Sequence, residues 1–261
     1  MTADRLTALC LEFRLPTLAS ELVQRLVAAG HETLIPLVTE IFELEAGDRR
    51  ERRVERLLRM SKLPPGKTLD TLEETRLPRP LLAQIHELAT GSFVDRAMNV
   101  LAFGLPGVGK SHVAAAIGHA LVSSGRTVLY APTYQLVQEL LAAKRDLALP
   151  RALAKLDVFD LLVLDDIGYV QQAPDEIEVL FTLLAERYER RSVLITSNLV
   201  FSEWGQIFKN PMTTAAAIDR LVHHSVILEF AVPSFRSDRA GKPTEPPPSS
   251  KARAKARRNH K

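Results

Sequence analysis

The stretch that decides the fold of this 261-residue chain covers positions 99 to 111 and reads NVLAFGLPGVGKS. It predicts a short apolar strand, then a glycine-rich turn, then an alanine-rich helix over 111–123. Gly107 and Gly109 leave room for backbone N–H groups to turn inward around phosphate oxygens, and the helix directs its positive N-terminus at the same anion. The pattern G-x-x-x-x-G-K-[ST] therefore predicts an ATP site. Its residues are Gly104, Leu105, Pro106, Gly107, Val108, Gly109, Lys110, Ser111 and His112.

Two side chains of this motif predict its chemistry. Lys110 supplies a compact cation for the β- and γ-phosphates of ATP, and the hydroxyl oxygen of Ser111 is a ligand for Mg²⁺. ATP and Mg²⁺ are therefore the expected cofactors. The motif lies between an apolar strand and a helix, which is the context that a phosphate loop requires, so a chance match is a poor explanation.

Two carboxylates follow a second apolar strand, which is predicted over 161–164. Asp165 and Asp166 come directly after it, at the edge of the sheet where open α/β folds place ligands. We expect Asp165 to hold Mg²⁺ through water, and Asp166 to act as the general base that polarises the attacking water. A single aspartate there would more often belong to a surface turn, but a pair that follows a phosphate loop favours catalysis.

Polar residues also end the strand that is predicted over 192–196. Asn198 could orient the attacking water against the γ-phosphate, although an isolated asparagine in this place would more often belong to a turn. The order of phosphate loop, paired carboxylates and polar strand end resembles that of the AAA+ division of P-loop ATPases. Asn198 is therefore a predicted catalytic residue.

Two arginines late in the chain are further candidates. Arg220 could reach the γ-phosphate of a neighbouring subunit and stabilise charge in the transition state. The alternative is a surface salt bridge to Asp219, which the spacing alone favours. Arg236 could contact the bound nucleotide from within the same chain, and Arg239 is an alternative to it.

Strands alternate with helices from about residue 81 onward, which predicts an α/β fold with a parallel sheet covered on both faces. We assign the P-loop AAA+ ATPase core to residues 81–240. Helical periodicity before the core predicts a small all-α N-terminal domain over residues 1–62, and the prolines between the two predict a linker over 63–80. Residues 241–261 are expected to form a disordered basic tail.

The net charge of +3 conceals an uneven distribution. A helix predicted from about Asp48 onward carries six arginines that we expect to contact DNA, because clustered cations gain free energy by releasing the counterions condensed on a nucleic acid. These residues are Arg49, Arg50, Arg52, Arg53, Arg56 and Arg59. The alternatives are a solvated helix face and, for the basic tail, a solubilising segment. The presence of an ATPase core favours nucleic acid.

Other classes of protein fit the sequence less well. No apolar run reaches the ~18 residues that a membrane span needs, and the first residues lack the apolar segment of a signal peptide. The single cysteine, Cys10, cannot form an internal disulfide, and we expect a protein of the reducing cytoplasm. A metabolic P-loop kinase would need a lid and an acceptor pocket, for which no segment between Asp166 and Asn198 is a candidate.

Three segments carry a resemblance to a known family: TSNL at 196–199, FSEWG at 201–205 and IDRLVHHS at 218–225. They resemble the IstB family of helper ATPases from bacterial insertion sequences, whose AAA+ core is similar to that of the helicase loader DnaC. The resemblance covers about residues 1–237. It implies that Asn198 is the first sensor, Arg220 the arginine finger and Arg236 the second-sensor arginine. Many relatives have Glu at the position of Asp166.

The resemblance also implies a function. Members of the family bind double-stranded DNA, form ATP-dependent homo-oligomers on it and deliver it as target to a partner transposase. We expect that partner to be a DDE-type enzyme encoded alongside, and we expect ATP hydrolysis to reset the assembly. The alternative is a replicative helicase loader of the DnaC type, which binds single-stranded DNA.

Overall fold

The structure is a computed structural model that describes residues 2–169, 173–199, 221–222 and 225–232. Five parallel strands form one sheet in the order β2-β3-β4-β1-β5. They are β1 (Asn99–Gly104), β2 (Val128–Pro132), β3 (Leu161–Asp165), β4 (Ser192–Ser197) and β5 (Ser225–Phe230). The predicted α/β fold with a parallel sheet is confirmed.

Nine helices of four or more residues lie in the described part of the chain. They are α1 (Thr2–Glu12), α2 (Pro16–Ala28), α3 (Ile35–Ser61), α4 (Arg79–Ala89), α5 (Ser92–Asp95), α6 (Lys110–Ser123), α7 (Thr133–Arg145), α8 (Leu149–Leu156) and α9 (Pro174–Arg187). Single 3₁₀ turns occupy Glu32–Leu34, Leu69–Thr71, Glu74–Arg76 and Ile167–Tyr169.

Helices cover the sheet on both faces. Successive residues of a strand point to opposite sides, so each strand contributes side chains to both layers of the core. Leu161 and Val163 of β3 pack on one face with apolar residues of α4 and α6. Leu162 and Leu164 pack on the other face with residues of α7 and α9. This double burial explains why the strands are continuous apolar runs rather than alternating patterns.

The parallel register brings the carboxyl ends of three strands together. Phe103 of β1 pairs with Ser197 of β4, and Leu164 of β3 pairs with Ile195 of β4. On the far side of β3, Pro132 of β2 pairs with Asp165. The phosphate loop, the carboxylate pair and Asn198 therefore leave the sheet along one edge, as the sequence predicted.

The N-terminal helices form an apolar cluster of their own. Leu6, Cys10 and Ile35 are buried there, with Val38 and Phe42 of α3 packed around them. Of the apolar positions at helical spacing further along, position 34 directly precedes α3, and positions 37, 41 and 44 lie within it. These positions are on the outer side of the helix, and the last three are 54–66% exposed. The all-α character of this region is as predicted, and its apolar residues at helical spacing are buried in α1 but exposed at these four positions.

Helix α3 belongs to both parts of the structure. Its first half packs on α1 and α2, and near its end Leu57 is only 6% exposed within the apolar core that also includes α6 and β2. The helix is continuous over 27 residues. The charged helix that was expected from Asp48 onward is its second half.

The segment 63–80 packs closely against α6. Leu63 and Leu77 are buried in the core, and a side-chain carbon added at Gly118 would lie 2.7 Å from Cδ2 of Leu63. Nε2 of His119 lies 3.1 Å from the carbonyl oxygen of Pro64. The prolines predicted a linker, and what the structure has is an ordered connection. The division into domains remains a prediction.

Among the described residues, no helix is sufficiently long and apolar to traverse a lipid bilayer.

We predict that Leu57→Ala lowers the free energy of unfolding by about 2–4 kcal/mol, because it leaves a cavity where α3 meets the core. The neighbouring Leu58 is 40% exposed, and Leu58→Ala should change stability by less than about 0.5 kcal/mol. Chemical denaturation of both variants measures the difference. Equal effects would contradict the packing of α3 described above.

Candidate nucleotide site

The phosphate loop depends on glycines for two different reasons. Gly107 and Gly109 have φ angles of 82° and 98°, in the left-handed region that side chains disfavour. Gly104 ends β1 in close contact with β5, where an added side-chain carbon would lie 2.8 Å from both Cβ and the carbonyl oxygen of Phe230. Helix α6 begins at Lys110, directly after Gly109, so its N-terminus faces the loop.

Lys110 is buried at the mouth of the loop. Its ammonium group donates to the carbonyl oxygens of Gly104 (2.7 Å) and Leu105 (2.8 Å) and to Oδ1 of Asn198 (2.7 Å). An ammonium group has three donors and no acceptor, so these partners fix its position. The cation predicted to bind phosphate is thus joined to the polar end of β4.

Asn198 connects this lysine to a carboxylate. Its Nδ2 lies 3.2 Å from both oxygens of Asp166, while its Oδ1 accepts from Lys110. This orientation of the amide is the one that satisfies both neighbours, since the oxygen must face the ammonium and the nitrogen the carboxylate. Lys110, Asn198 and Asp166, which come from three separate elements, therefore form one hydrogen-bonded chain.

Asp165 is held at both carboxylate oxygens by hydroxyl groups. Oγ1 of Thr196 donates to Oδ1 (2.7 Å), and the phenol of Tyr130 donates to Oδ2 (2.5 Å). Thr196 also accepts a hydrogen bond from the backbone N–H of Asp166 (2.8 Å). Sequence reasoning missed Tyr130 and Thr196. Thr196 is a polar residue near the end of an otherwise apolar strand, and that signal could have identified it, whereas Tyr130 lies in the middle of β2 and gave no such signal.

The environment changes the proton affinity of two groups. Burial, followed by the negative charge of Asp165, raises the pKa of Asp166, while Lys110 and Asn198 act in the opposite direction. A higher pKa makes the carboxylate a better proton acceptor, as a general base requires. Burial and Asp165 also raise the pKa of Tyr130, so its phenol remains a hydrogen-bond donor.

The oxygen ligands at this edge fit the chemistry of Mg²⁺. Ser111 and Asp166 line one cavity together with Lys110, Thr196 and Asn198. Asp165 accepts a hydrogen bond from Thr196, one of these lining residues. Hydroxyl, carboxylate and phosphate oxygens are the ligands that Mg²⁺ uses at nucleotide sites. Within the described residues no cluster of three or more His, Cys, Asp or Glu side chains is present, and a nucleotide-bound magnesium ion requires none.

A further wall of the cavity comes from the segment before the core. Four of its residues line the cavity together with the phosphate loop: Lys67, Thr71, Leu72 and Glu73. His112, a predicted ATP-binding residue, has its Nε2 3.1 Å from Oγ1 of Thr71 and 3.1 Å from the carbonyl oxygen of Thr68. The expected linker therefore contributes to the site, which proline content could not reveal.

The six arginines predicted to contact DNA all lie exposed on α3, but they are not equivalent. Arg49 and Arg52 pair with Glu45, and Arg53 donates to the carbonyl oxygen of Gly125. Within the described part of the chain, the side chains of three of these arginines make neither a hydrogen bond nor an ion pair: Arg50, Arg56 and Arg59. These three are the ones most available for phosphate contacts.

Two predicted site residues, Arg220 and Arg236, lie outside the described residues, as does the FSEWG segment.

We predict that Asp166→Asn raises the melting temperature at neutral pH. The raised pKa means that ionised Asp166 destabilises the fold above that pKa, and the destabilisation disappears as the pH falls. Asparagine removes the charge, keeps an acceptor for Asn198 and tolerates the φ of +60° at this position. Asp165→Asn, by contrast, should lower the melting temperature because Asp165 accepts from two hydroxyl groups. Thermal unfolding near pH 7 checks both signs, and a lower melting temperature for Asp166→Asn would contradict this account.

Comparison with known proteins identifies relatives over most of the chain. The model of the IstB-like ATP binding protein family matches residues 8–242. A protein of Sinorhizobium fredii, named as an insertion sequence ATP-binding protein, is 46% identical over 235 residues, which cover 89% of this chain and 79% of the relative. The ATP-binding protein of insertion sequence IS5376 from Geobacillus stearothermophilus is 32% identical over 235 residues, which cover 89% of this chain and 94% of the relative.

Solved structures share the fold. The DnaC helicase loader superposes with a TM-score of 0.56 at 18% identity, covering 64% of this chain and 97% of that one. DnaI gives a TM-score of 0.55 at 18% identity, with 66% and 96% covered. The sheet, its phosphate loop and the sequence matches agree, and the chain belongs to the family of IstB-like ATP binding proteins, with an AAA+ fold.

Proposed function

We propose that this protein hydrolyses ATP in a Mg²⁺-dependent reaction. The observation that carries the proposal is the hydrogen-bonded chain Lys110–Asn198–Asp166 at the carboxyl edge of the sheet. It joins a phosphate-binding cation, a polar orienting group and a carboxylate with a raised pKa within one cavity. A carboxylate of raised pKa this close to the phosphate loop favours hydrolysis over ATP binding alone.

Each residue has a distinct task in the proposed reaction. Lys110 and the N–H groups of the loop bind the β- and γ-phosphates. Ser111 and Asp165 hold Mg²⁺, which when bound would offset the negative charge of the phosphate oxygens. Asp166 accepts a proton from the attacking water, and Asn198 orients that water. Arg220 of a neighbouring subunit is proposed as the arginine finger, and Arg236 as the second sensor.

We further propose that ATP controls assembly on DNA during transposition. The related proteins are named as ATP-binding proteins of insertion sequences, and the exposed arginines of α3 offer a surface for duplex phosphates. In this proposal the protein forms homo-oligomers on double-stranded DNA and delivers it to a DDE-type transposase. Hydrolysis then resets the assembly in the bacterial cytoplasm.

A second candidate is the loading of a replicative helicase, because the fold is shared with the DnaC helicase loader. That candidate requires a preference for single-stranded DNA. Competition between duplex and single-stranded oligonucleotides of equal length separates the two functions. The transposition proposal predicts that the duplex is preferred.

We predict that Lys110→Ala abolishes ATP binding and, with it, cooperative assembly on DNA, since the phosphates lose their main cation. Lys155→Ala on α8 removes a lysine far from the phosphate loop and serves as the control. Fluorescent ATP titration and electrophoretic mobility shifts with and without ATP measure the two effects. Wild-type assembly by the Lys110 variant would contradict the proposal.

We also predict that Arg56→Ala and Arg59→Ala together weaken binding to duplex DNA without changing sequence preference. Each removed phosphate contact should reduce the slope of log affinity against log salt by about 0.9. Arg151→Ala is the matched control, because this exposed arginine of α8 also has no partner in the described part of the chain. An unchanged salt slope in the double variant would exclude Arg56 and Arg59 as phosphate contacts.

A further inference from the structure

Tyr130 is the feature of the site that the proposed reaction leaves unexplained. It is the central residue of β2, the strand next to the one that the carboxylate pair follows, and only 8% of its surface is exposed. Its hydroxyl group donates to Oδ2 of Asp165 at 2.5 Å. Oγ1 of Thr196, on the strand at the other side of β3, donates to Oδ1 of the same carboxylate. The carboxylate expected to hold Mg²⁺ is thus held from both neighbouring strands.

The direction of these hydrogen bonds follows from the donors that each group has. An ionised carboxylate can only accept, so the one proton of the phenol is committed to Asp165. Thr196 likewise commits its one hydroxyl proton to Oδ1 of Asp165. Each carboxylate oxygen accepts one hydrogen bond and keeps a further lone pair, which is what a cation or its bound water requires.

We propose that Tyr130 is a positioning residue for the magnesium site. Together with Thr196, it fixes the carboxylate of Asp165 from the two neighbouring strands. Partners of this kind set the orientation of metal ligands, and their loss typically weakens metal binding 10- to 100-fold. The inference deepens the proposed ATPase function and rests on it, since it requires Mg²⁺ at this site.

The ring and the hydroxyl group of Tyr130 have separable contributions. The ring packs in the apolar core together with Val128 and Val163, and a phenylalanine would fill the same space. The hydroxyl group alone reaches Asp165. Tyr130→Phe is therefore expected to fold normally and to remove only the hydrogen bond to Asp165.

The experiment measures metal affinity directly. Mn²⁺, used in place of Mg²⁺, is titrated into the protein with ATP and followed by electron paramagnetic resonance, and binding of a fluorescent ATP analogue is measured separately in EDTA. Tyr130→Phe should weaken Mn²⁺ binding about 10-fold, while nucleotide binding in EDTA and the melting temperature stay as in the wild type. Tyr134→Phe, a half-exposed tyrosine on α7, is the control and should change neither quantity.

The outcomes separate this inference from the proposed function. Equal or tighter Mn²⁺ binding by Tyr130→Phe, with normal nucleotide binding, would overturn the role of Tyr130 and leave the ATPase proposal intact. Equal weakening in Tyr134→Phe would also overturn it. If wild-type protein bound no metal in the presence of ATP, both proposals would fail together.

Discussion

The parallel register of β1, β3 and β4 is the constraint on which the rest of the structure depends. Because the three strands run in the same direction and are adjacent, the residues that follow them leave the sheet side by side. No one element contains the site. Lys110, Asp166 and Asn198 are far apart in the chain, and the hydrogen bonds between them exist only while the strands stay in this register.

Buried polar groups hold the opposite edge of the sheet. The side chain of Asn99, at the start of β1, accepts from the backbone N–H of Val193 and donates to the carbonyl oxygen of Leu221. Arg187, which is almost fully buried, donates to the carbonyl oxygens of Leu156 and Ser192. Burial lowers its pKa to about 10, so it remains charged at neutral pH. Hydrogen bonds of buried side chains thus hold the sheet at the amino ends of its strands, and the residues of the predicted chemistry lie at the carboxyl ends.

The predicted residues that the structure brings to one edge of the sheet are those encoded locally. The phosphate loop is a contiguous pattern, and the carboxylate pair and Asn198 follow apolar strands whose order along the chain indicated a parallel sheet. Tyr130 and Thr196 could not be found in this way, because their importance comes from neighbours on another strand. The pattern of Leu37, Ile41 and Leu44 indicated a helix, but periodicity does not say which face is buried.

Prolines gave a further mismatch between sequence and structure. They disfavour long helices and strands, so the segment 63–80 was expected to be a linker. In the structure Pro150 occupies the first turn of α8, where proline is tolerated. Leu63 and Leu77 fix the expected linker to the core. The helix that carries the arginines is therefore followed directly in the chain by the segment that lines the nucleotide cavity.

The central claim is that Asn198 and Asp166 act as one unit in ATP hydrolysis. A double-mutant cycle tests it most directly, with single-turnover hydrolysis measured for Asn198→Ala, Asp166→Ala and the double variant. Groups that act together give strongly non-additive effects. The account predicts that the double variant is no slower than the slower single variant. A loss equal to the product of the two single losses would show that the residues act independently and would contradict it.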